Sequence, residues 1–288
     1  MSAPHRSTRR AFLATMAAGG VGLTAAAYAR YAEPDWFDVT EVALDPAKFP
    51  APSGLRILHL SDLHLGPHVS LAQIERAIEL GLALKPDLVA LTGDYVTGRL
   101  RAAEAYAAVL RRLADAAPTF ACLGNHDAIV STSPVGEVAR TAAVVGLLRE
   151  ARIEVLLNQS REVAVRGGRL RVSGLGDLWT GQNHPARCLA PMRGPGREAL
   201  AHLLLNHNPD ARVATMAYHW DLMLCGHTHG GQVGLPGVAE WLAPVSDTSH
   251  IEGLRERAGR LVHISRGVGN LYGVRFLCRP QVSLLVVG

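Results

Sequence analysis

The stretch of this chain best suited to chemistry is residues 226–231, Gly-His-Thr-His-Gly-Gly, in which two imidazoles lie one residue apart between glycines. It follows the apolar run Leu222–Cys225, which predicts a short buried strand, so His227 and His229 should lie where the backbone turns at the strand's end. Residues i and i+2 of an extended chain share a face, so both rings can point into one site. The spacing favours a metal site, although two nearby histidines are also common in polar loops.

Four further apolar runs end in the same way, in aspartate, asparagine or histidine. They lead into Asp62-Leu63-His64, Gly93-Asp94, Gly124-Asn125-His126-Asp127 and Asn206-His207. Taken one at a time, these residues could equally be turn, cap or satisfied polar residues. One shared site explains them together, and its candidate ligands are Asp62, His64, Asp94, Asn125, His207, His227 and His229. Carboxylate, imidazole and amide ligands suit Mn, Fe or Zn, and this many side chains fit two divalent metal ions that share a bridging carboxylate.

The elements that must position these residues alternate between strand and helix. Strands are predicted at residues 55–60, 88–91, 119–123, 202–205 and 222–225, and helices at 102–113, at 133–150 and after the N-cap Ser70. Such β-α-β units build a parallel sheet, in which sites form at the carboxyl ends of the strands.

Beyond residue 150 the predicted strands are shorter, with a hairpin through Gly167-Gly168 and closing strands at 261–265 and 282–287. We therefore expect residues 55–288 to form one domain of two mixed sheets packed face to face with helices outside. Residues 30–54, which contain four prolines and one alternating apolar segment, are expected to form a linker and an edge strand.

Residues 1–29 are typical of an export signal. Arg9 and Arg10 precede Phe12-Leu13, an uncharged and mildly apolar stretch follows, and the segment ends Ala27-Tyr28-Ala29. This pattern predicts a twin-arginine signal read by the twin-arginine export machinery, with cleavage after Ala29 and retention as a membrane anchor left as an alternative. The protein is then exported, to the periplasm or the outer face of the cytoplasmic membrane.

The charge of the chain belongs mostly to this leader. The whole chain carries 29 basic and 25 acidic residues, and the first thirty residues hold four arginines and no acid, which leaves 25 against 25 in the remainder. A neutral body gives no support for a basic nucleic-acid surface, so we expect no nucleic-acid partner and disfavour a nuclease.

The ordered blocks Asp62-x-His64, Gly93-Asp94, Gly124-Asn125-His126-Asp127, His207 and Gly226-His227-x-His229 resemble those of the calcineurin-like metallophosphoesterases. The leader, Gly230-Gly231-Gln232 and residues 265–269 are similar to the exported bacterial phosphodiesterase branch of that family. The resemblance implies a four-layer α/β/β/α sandwich. It also implies which residues bind metal: Asp62, His64 and His229 the first ion, Asn125, His207 and His227 the second, with Asp94 bridging.

The chemistry expected of such a site is hydrolysis of a phosphoester. Two divalent ions lower the pKa of a bridging water, and the resulting hydroxide attacks phosphorus opposite the leaving oxygen. His126 is the candidate general acid, with Asp127 orienting its ring. The alternative for His126 is a hydrogen bond that supports a metal ligand.

The substrate is expected to be a phosphodiester or a lipid-linked phosphate. A monoester dianion calls for fixed cations beyond the metals, and only Arg99, Arg266 and Arg275 lie in stretches near the site. Trp241, in the apolar loop 235–244, suits a membrane interface or an acyl chain, or else it packs onto the protein's own core. The competing hypotheses are a general phosphomonoesterase and a catalytically inert scaffold of the same fold. Residues 180–197 and 235–251 have no clear counterpart in the family pattern, and substrate choice would lie there.

Overall fold

The structure is a computed structural model that describes residue 20 and residues 22–128, 134–192 and 200–288. Most of the predicted leader, its twin arginines included, and the predicted helix start at Ser133 lie outside these residues. Residues 22–31 are helical. Within the described part of the chain, no helix is both long enough and apolar enough to cross a bilayer.

Strands are numbered in chain order. The first sheet has the order β1 (Asp38–Leu44), β12 (Gln281–Val287), β2 (Arg56–Leu60), β3 (Leu88–Thr92), β4 (Thr119–Cys122) and β5 (Glu154–Val155). Strands β2 to β5 are parallel, as the β-α-β pattern predicts, and β12 runs antiparallel to β2 and parallel to β1. All residues of β3 and β4 are buried, which is why these strands are mostly apolar and show no alternation.

The second sheet has the order β10 (Gly253–Arg257), β11 (Arg260–Ile264), β9 (Leu222–Cys225), β8 (Ala201–Leu205), β7 (Gly168–Gly174) and β6 (Gln159–Val165). Its four inner strands are parallel and both edge strands are antiparallel to their neighbours. The predicted hairpin joins β6 to β7. Its two turn residues, Arg166 and Gly167, have φ of 46° and 74°, the left-handed conformation that a type I′ turn requires.

Three helices, Leu71–Ala83, Ala103–Ala116 and Pro134–Glu150, cover the outer face of the first sheet. The first begins at Ser70, whose hydroxyl accepts a hydrogen bond from the amide of Gln73 in a capping box, as predicted. Alternation along β2 places Leu58 against these helices and Ile57 between the two sheets.

The outer face of the second sheet is covered by shorter pieces. Leu189 and Trp220 pack there, flanked by the helical turn Pro185–Arg187 and the short helix Ala211–Thr215. The architecture is therefore the predicted α/β/β/α sandwich of two mixed sheets, with a thin fourth layer. The sequence pattern did not predict β10, because Arg255, Glu256 and Arg257 on this edge strand show no apolar alternation.

Candidate metal centre

The parallel strands of both sheets end at one cleft, and this brings the seven candidate ligands together. Strands β2, β3 and β4 lead into Asp62, Asp94 and Asn125, while β8 and β9 lead into His207 and the pair of histidines beyond Gly226. All seven side chains are buried, with at most 6% of any residue exposed. A polar cluster so deeply buried needs internal partners or a bound cation.

One group of ligand atoms comes from Asp62, His64 and His229, all within 4.8 Å of one another. The Nε2 atoms of His64 and His229 are 3.1 Å apart, and Asp62 Oδ1 lies 3.3 Å from His229 Nε2 and 3.8 Å from His64 Nε2. Three ligands of two types, one carboxylate and two imidazoles, converge on one point, which is what a divalent ion requires.

The second group is built around His207. Its Nε2 lies 3.2 Å from Asp94 Oδ2 and 3.2 Å from Nδ1 of His227. Asp94 Oδ2 also lies 3.5 Å from Nε2 of His64 in the first group, so this carboxylate lies between the two groups. Asn125 Oδ1 is buried and has no hydrogen-bond partner among the described residues. An orphaned acceptor beside two carboxylates and four imidazoles fits a pair of cations.

Three of the four ligand histidines form a hydrogen bond through the ring nitrogen that faces away from the cleft, whereas Nδ1 of His229 is buried and has no hydrogen-bond partner among the described residues. His207 Nδ1 contacts the carbonyl oxygen of Thr92 at 2.7 Å, and His227 Nε2 contacts that of Pro244 at 3.1 Å. A carbonyl only accepts, so each of these nitrogens carries the proton and the opposite nitrogen directs its lone pair into the cleft. His64 Nδ1 contacts Thr97 Oγ1 at 2.8 Å. The sequence had marked none of these supporting groups.

The backbone at the ligands adopts a conformation that residues other than glycine seldom take. Five of the seven have φ in the left-handed region, between 51° and 73°: Asp62, His64, Asp94, His227 and His229. Each costs roughly 1–3 kcal/mol and is found mostly where function requires a side chain to be aimed sharply out of a strand. Close approach of the loops also requires glycine, because a Cβ on Gly124 or Gly226 would collide with the Asp94 or Asp62 carboxylate.

Burial keeps three of the four histidines neutral. It lowers the pKa of His64 and of His227 to about 3, and it lowers the pKa of His229 well below its ordinary value. Neutral imidazole is the form that ligates a metal ion, so these three rings need lose no proton before binding.

His207 behaves differently because it is surrounded by carboxylates. Burial alone would lower its pKa, but Asp94, Asp62 and Asp177 raise it to about 10. Burial likewise would raise the pKa of Asp94, yet His207 and then His64 hold it well below its usual range. Without a cation the two residues form an ion pair, and cation binding replaces the His207 proton.

Asp127 has a different role from the one predicted. Its Oδ2 accepts hydrogen bonds from the amides of Asp94 and Gly124 at 2.8 and 2.9 Å, and its Oδ1 accepts one from Tyr95 at 2.8 Å. Among the described residues no hydrogen bond joins it to the ring of His126. Burial, and then the charge of Asp94, raise the pKa of Asp127 to about 7, against the effect of the amides. Asp127 therefore ties together the loops that follow β3 and β4 and does not orient the imidazole.

The ligands open into a cavity of about 440 Å³, into which His126 projects. The amide of His126 donates to Asp94 Oδ1 at 2.8 Å, and its ring lies edge-on to that of His64 with centroids 5.1 Å apart. Trp179, Leu242 and Tyr272 line the same cavity. Trp179 also meets His227 edge-on at 4.4 Å. No sequence pattern had pointed to Trp179 or Tyr272.

The three arginines predicted near the site do not line this cavity. Arg275 is fully buried and donates to the carbonyl oxygens of Cys278 and Gly267 at 3.0 and 3.2 Å. Arg266 forms an ion pair with Asp38. Arg99 lines a separate cavity. The described residues that line the metal cavity include no lysine and no arginine.

Trp241 is 81% exposed, which contradicts the alternative that it packs onto the protein's own core. It lies on the short helix Val238–Leu242, inside the loop that the sequence left unassigned. The four cysteines are free, and three of them, Cys122, Cys225 and Cys278, are buried.

Fold and site together define a metal-dependent phosphoester hydrolase. The chain matches the calcineurin-like phosphoesterase family over residues 55–231, and it belongs to that family.

Three relatives align over nearly the whole chain. Phosphodiesterase YaeI of Escherichia coli (strain K12) is 42% identical over 280 residues, covering 96% of this chain and 98% of that protein. The uncharacterized metallophosphoesterase YkuE of Bacillus subtilis (strain 168) is 28% identical, with 95% and 92% covered. UDP-2,3-diacylglucosamine pyrophosphatase LpxG of Chlamydia trachomatis is 27% identical, with 90% and 91% covered.

Proposed function

We propose that this protein is a dinuclear metal-dependent phosphodiesterase whose substrates are lipid-linked phosphoesters. The observation that carries the proposal is the convergence of two groups of ligand atoms, joined by Asp94, on a cavity lined by apolar side chains. Its described lining offers no fixed cation, which suits the single charge of a diester better than the two charges of a monoester. Similarity to a phosphodiesterase and to a pyrophosphatase of a diacylated nucleotide sugar supports this class.

The proposed ions would be held by the side chains that converge on the cleft. Asp62, His64 and His229 would hold one ion, Asn125, His207 and His227 the other, and Asp94 would contact both. When bound, divalent ions supply positive charge for the phosphoryl oxygens and bring the pKa of a coordinated water toward neutrality.

The chain's own residues complete the reaction. Hydrolysis breaks the bond between phosphorus and the leaving oxygen, and that oxygen must gain a proton. His126 projects into the cavity beside the ligands and is the donor, with its backbone fixed by the hydrogen bond to Asp94. The apolar walls leave room for the organic part of the substrate.

Metal reconstitution tests the proposal. Chelator-treated protein is loaded with Mn, Fe or Zn, its metal content is measured, and turnover is compared on bis(4-nitrophenyl) phosphate, 4-nitrophenyl phosphate and a phosphatidyl diester in micelles. We expect about two ions per chain and a higher kcat/KM for the diesters. A higher kcat/KM for the monoester would indicate a general phosphomonoesterase, and a protein that binds no metal on reconstitution and turns over none of the three substrates would indicate an inert scaffold.

We also propose export by the twin-arginine route, to the periplasm or the outer face of the cytoplasmic membrane. Arg9-Arg10 with the uncharged stretch that follows supports it. Replacing both arginines by lysine should retain the protein in the cytoplasm, because the signal is recognised by a receptor and charge alone is insufficient. Fractionation of cells that produce each form measures this, and unchanged export of the lysine variant would contradict the route.

A further inference from the structure

Six large apolar side chains that are 40% to 81% exposed lie on segments that line the metal cavity or the cavity beside it. We call them the apolar rim: Trp179, Leu235, Trp241, Leu242, Tyr272 and Leu277. Three of them line the metal cavity itself. Leu235 and Leu277 line an adjoining cavity together with Ala239, which lies on the same short helix as Trp241. Exposed apolar clusters of this kind mark interaction surfaces.

The apolar rim is held in place by backbone hydrogen bonds. The amide of Gly234 donates to the carbonyl oxygen of Phe276 at 2.8 Å, which sets Leu235 and Leu277 side by side. The helix Val238–Leu242 begins at Gly237, whose amide donates to Glu240 Oε2 at 2.7 Å. Because this surface is already ordered, a partner that binds it loses little free energy to ordering side chains and loops.

The N-terminal helix joins the fold beside this surface. The ring of Tyr28 meets that of Phe276 edge-on at 6.3 Å, and the carbonyl oxygen of Ala29 accepts from the amide of Arg275 at 2.9 Å. The carboxylate of Glu33 accepts from the amide of Leu277 at 2.7 Å. The uncharged residues 22–29 of the leader therefore meet the domain next to the apolar rim.

The composition of this surface indicates what binds it. The adjoining cavity is also lined by two acidic and two basic side chains, Glu240, Glu252, Arg255 and Arg266, so the described residues beside the rim favour no strongly charged partner. Trp241 and Tyr272 combine an apolar ring with a polar N–H or O–H, as residues at membrane interfaces do. A protein partner seated on the apolar rim would close the cavity that the substrate must enter. A bilayer would instead present a lipid-linked substrate there.

We propose that the apolar rim docks onto a lipid bilayer, with the metal cavity opening into the interface. Trp241, Leu242 and Leu277 enter the headgroup region, and the substrate reaches the metals without leaving the membrane. The benefit to catalysis rests on the proposed function, whereas the docking itself does not. Because burial of apolar side chains drives the docking, binding should occur on zwitterionic vesicles and depend only weakly on salt concentration.

The experiment uses the full-length, metal-loaded protein and phosphatidylcholine vesicles whose acyl chains carry bromine, which quenches nearby tryptophan fluorescence. We expect quenching that is reduced by Trp241→Phe. Turnover of a vesicle-borne phosphatidyl diester should fall at least about tenfold in the double variant W241S/L277S, because two large apolar side chains no longer enter the bilayer. Hydrolysis of bis(4-nitrophenyl) phosphate in solution should be unchanged, since neither residue lines the metal cavity.

The matched control is V213S/M216S, which removes two exposed apolar side chains near the outer layer of the second sheet. This variant should change neither the turnover of the vesicle-borne diester nor the hydrolysis of bis(4-nitrophenyl) phosphate. Absence of quenching in the unaltered protein, or equal loss on both substrates in W241S/L277S, overturns the docking. Quenching of Trp241 fluorescence without turnover of any phosphoester supports the docking and contradicts the proposed function. The two failures are therefore distinguishable.

Discussion

The protein buries two groups of histidines that differ in what their ring nitrogens meet. The ligand histidines are His64, His207, His227 and His229. The core histidines are His59, His202 and His263, on β2, β8 and β11. His59 is joined to His263 by a 3.0 Å contact between Nδ1 atoms and to Thr92 Oγ1 at 2.8 Å, and His202 Nε2 meets Ser173 Oγ at 2.7 Å. The ligand histidines instead direct one nitrogen each at a shared cleft.

Burial and pKa do not separate these groups. Burial lowers the pKa of His64 and His227 to about 3, and it does the same for His202 and His263. The backbone does separate them, because the core histidines lie within regular strands whereas three of the four ligand histidines have positive φ beyond a strand's end. A buried histidine is thus a candidate ligand when its loop turns it toward other donors.

The largest effect on metal content and kcat/KM should come from replacing Asp94, the carboxylate that lies between the two ligand groups. Asp94→Asn should lose bound metal and lower kcat/KM by at least about a thousandfold, because metal-ion stabilisation of the transition state is worth several kcal/mol and each 1.36 kcal/mol is tenfold. His263→Gln, which removes an equally buried core histidine, should keep its bound metal and an unchanged kcat/KM. Metal analysis and steady-state kinetics on the two variants measure this. If the Asp94→Asn protein kept its full metal content and rate, Asp94 would not be a metal ligand.

His126 should affect the rate and leave the metal bound. His126→Ala should lose roughly 10² to 10⁴ in kcat on a diester with an alkoxide leaving group, the usual scale of general acid catalysis. The loss should be much smaller with nitrophenolate, which departs without a proton. Equal losses on both substrates would assign His126 to support of a ligand instead.

A smaller effect is expected from the hydroxyl that orients a ligand histidine. Thr97→Val removes the contact to Nδ1 of His64 and should weaken metal affinity roughly 10- to 100-fold. Thr97→Ser keeps a hydroxyl and should restore the affinity. Competition with a chelator of known affinity gives the values. Equal affinities of the valine and serine variants would show that this hydrogen bond does not tune the site.

The candidate ligands could be recognised in the sequence because metal binding restricts the residue types that can occupy a site. Only a few side chains ligate divalent metals, so Asp62 and His64 are visible at the end of an apolar run, and the structure does bring all seven such residues together. The parallel β-α-β arrangement followed from the same runs, but the strand order did not, because β12 comes from the end of the chain and lies between β1 and β2. Asp127 was misjudged because its partners are backbone amides, which no residue type reveals. Trp179 and Tyr272 were missed because their positions in the cavity depend on loops without periodicity.

The smallest effect concerns stability and the core histidines. The pKa of His202 is lowered to about 3 in the folded protein by burial and then by Arg171 and His219, from an ordinary value of 6.5. Between these values the unfolded chain binds a proton that the folded chain does not. The contribution of His202 is therefore fully present above pH 6.5 and is lost as pH falls toward 3, with a slope of at most about 1.4 kcal/mol per pH unit.

His202→Asn should make the free energy of unfolding less dependent on pH between about pH 6 and pH 4 by up to that slope. Urea unfolding in the presence of chelator measures it, and the titration of the metal ligands cancels because both proteins share them. Ser173→Ala is the matched control, since it removes the hydroxyl partner of His202 but keeps the imidazole. It should lower stability by a similar amount at every pH. Parallel curves for the unaltered protein and His202→Asn would mean that folding does not lower the pKa of this core histidine, and the pKa would then separate the core histidines from the ligand histidines after all.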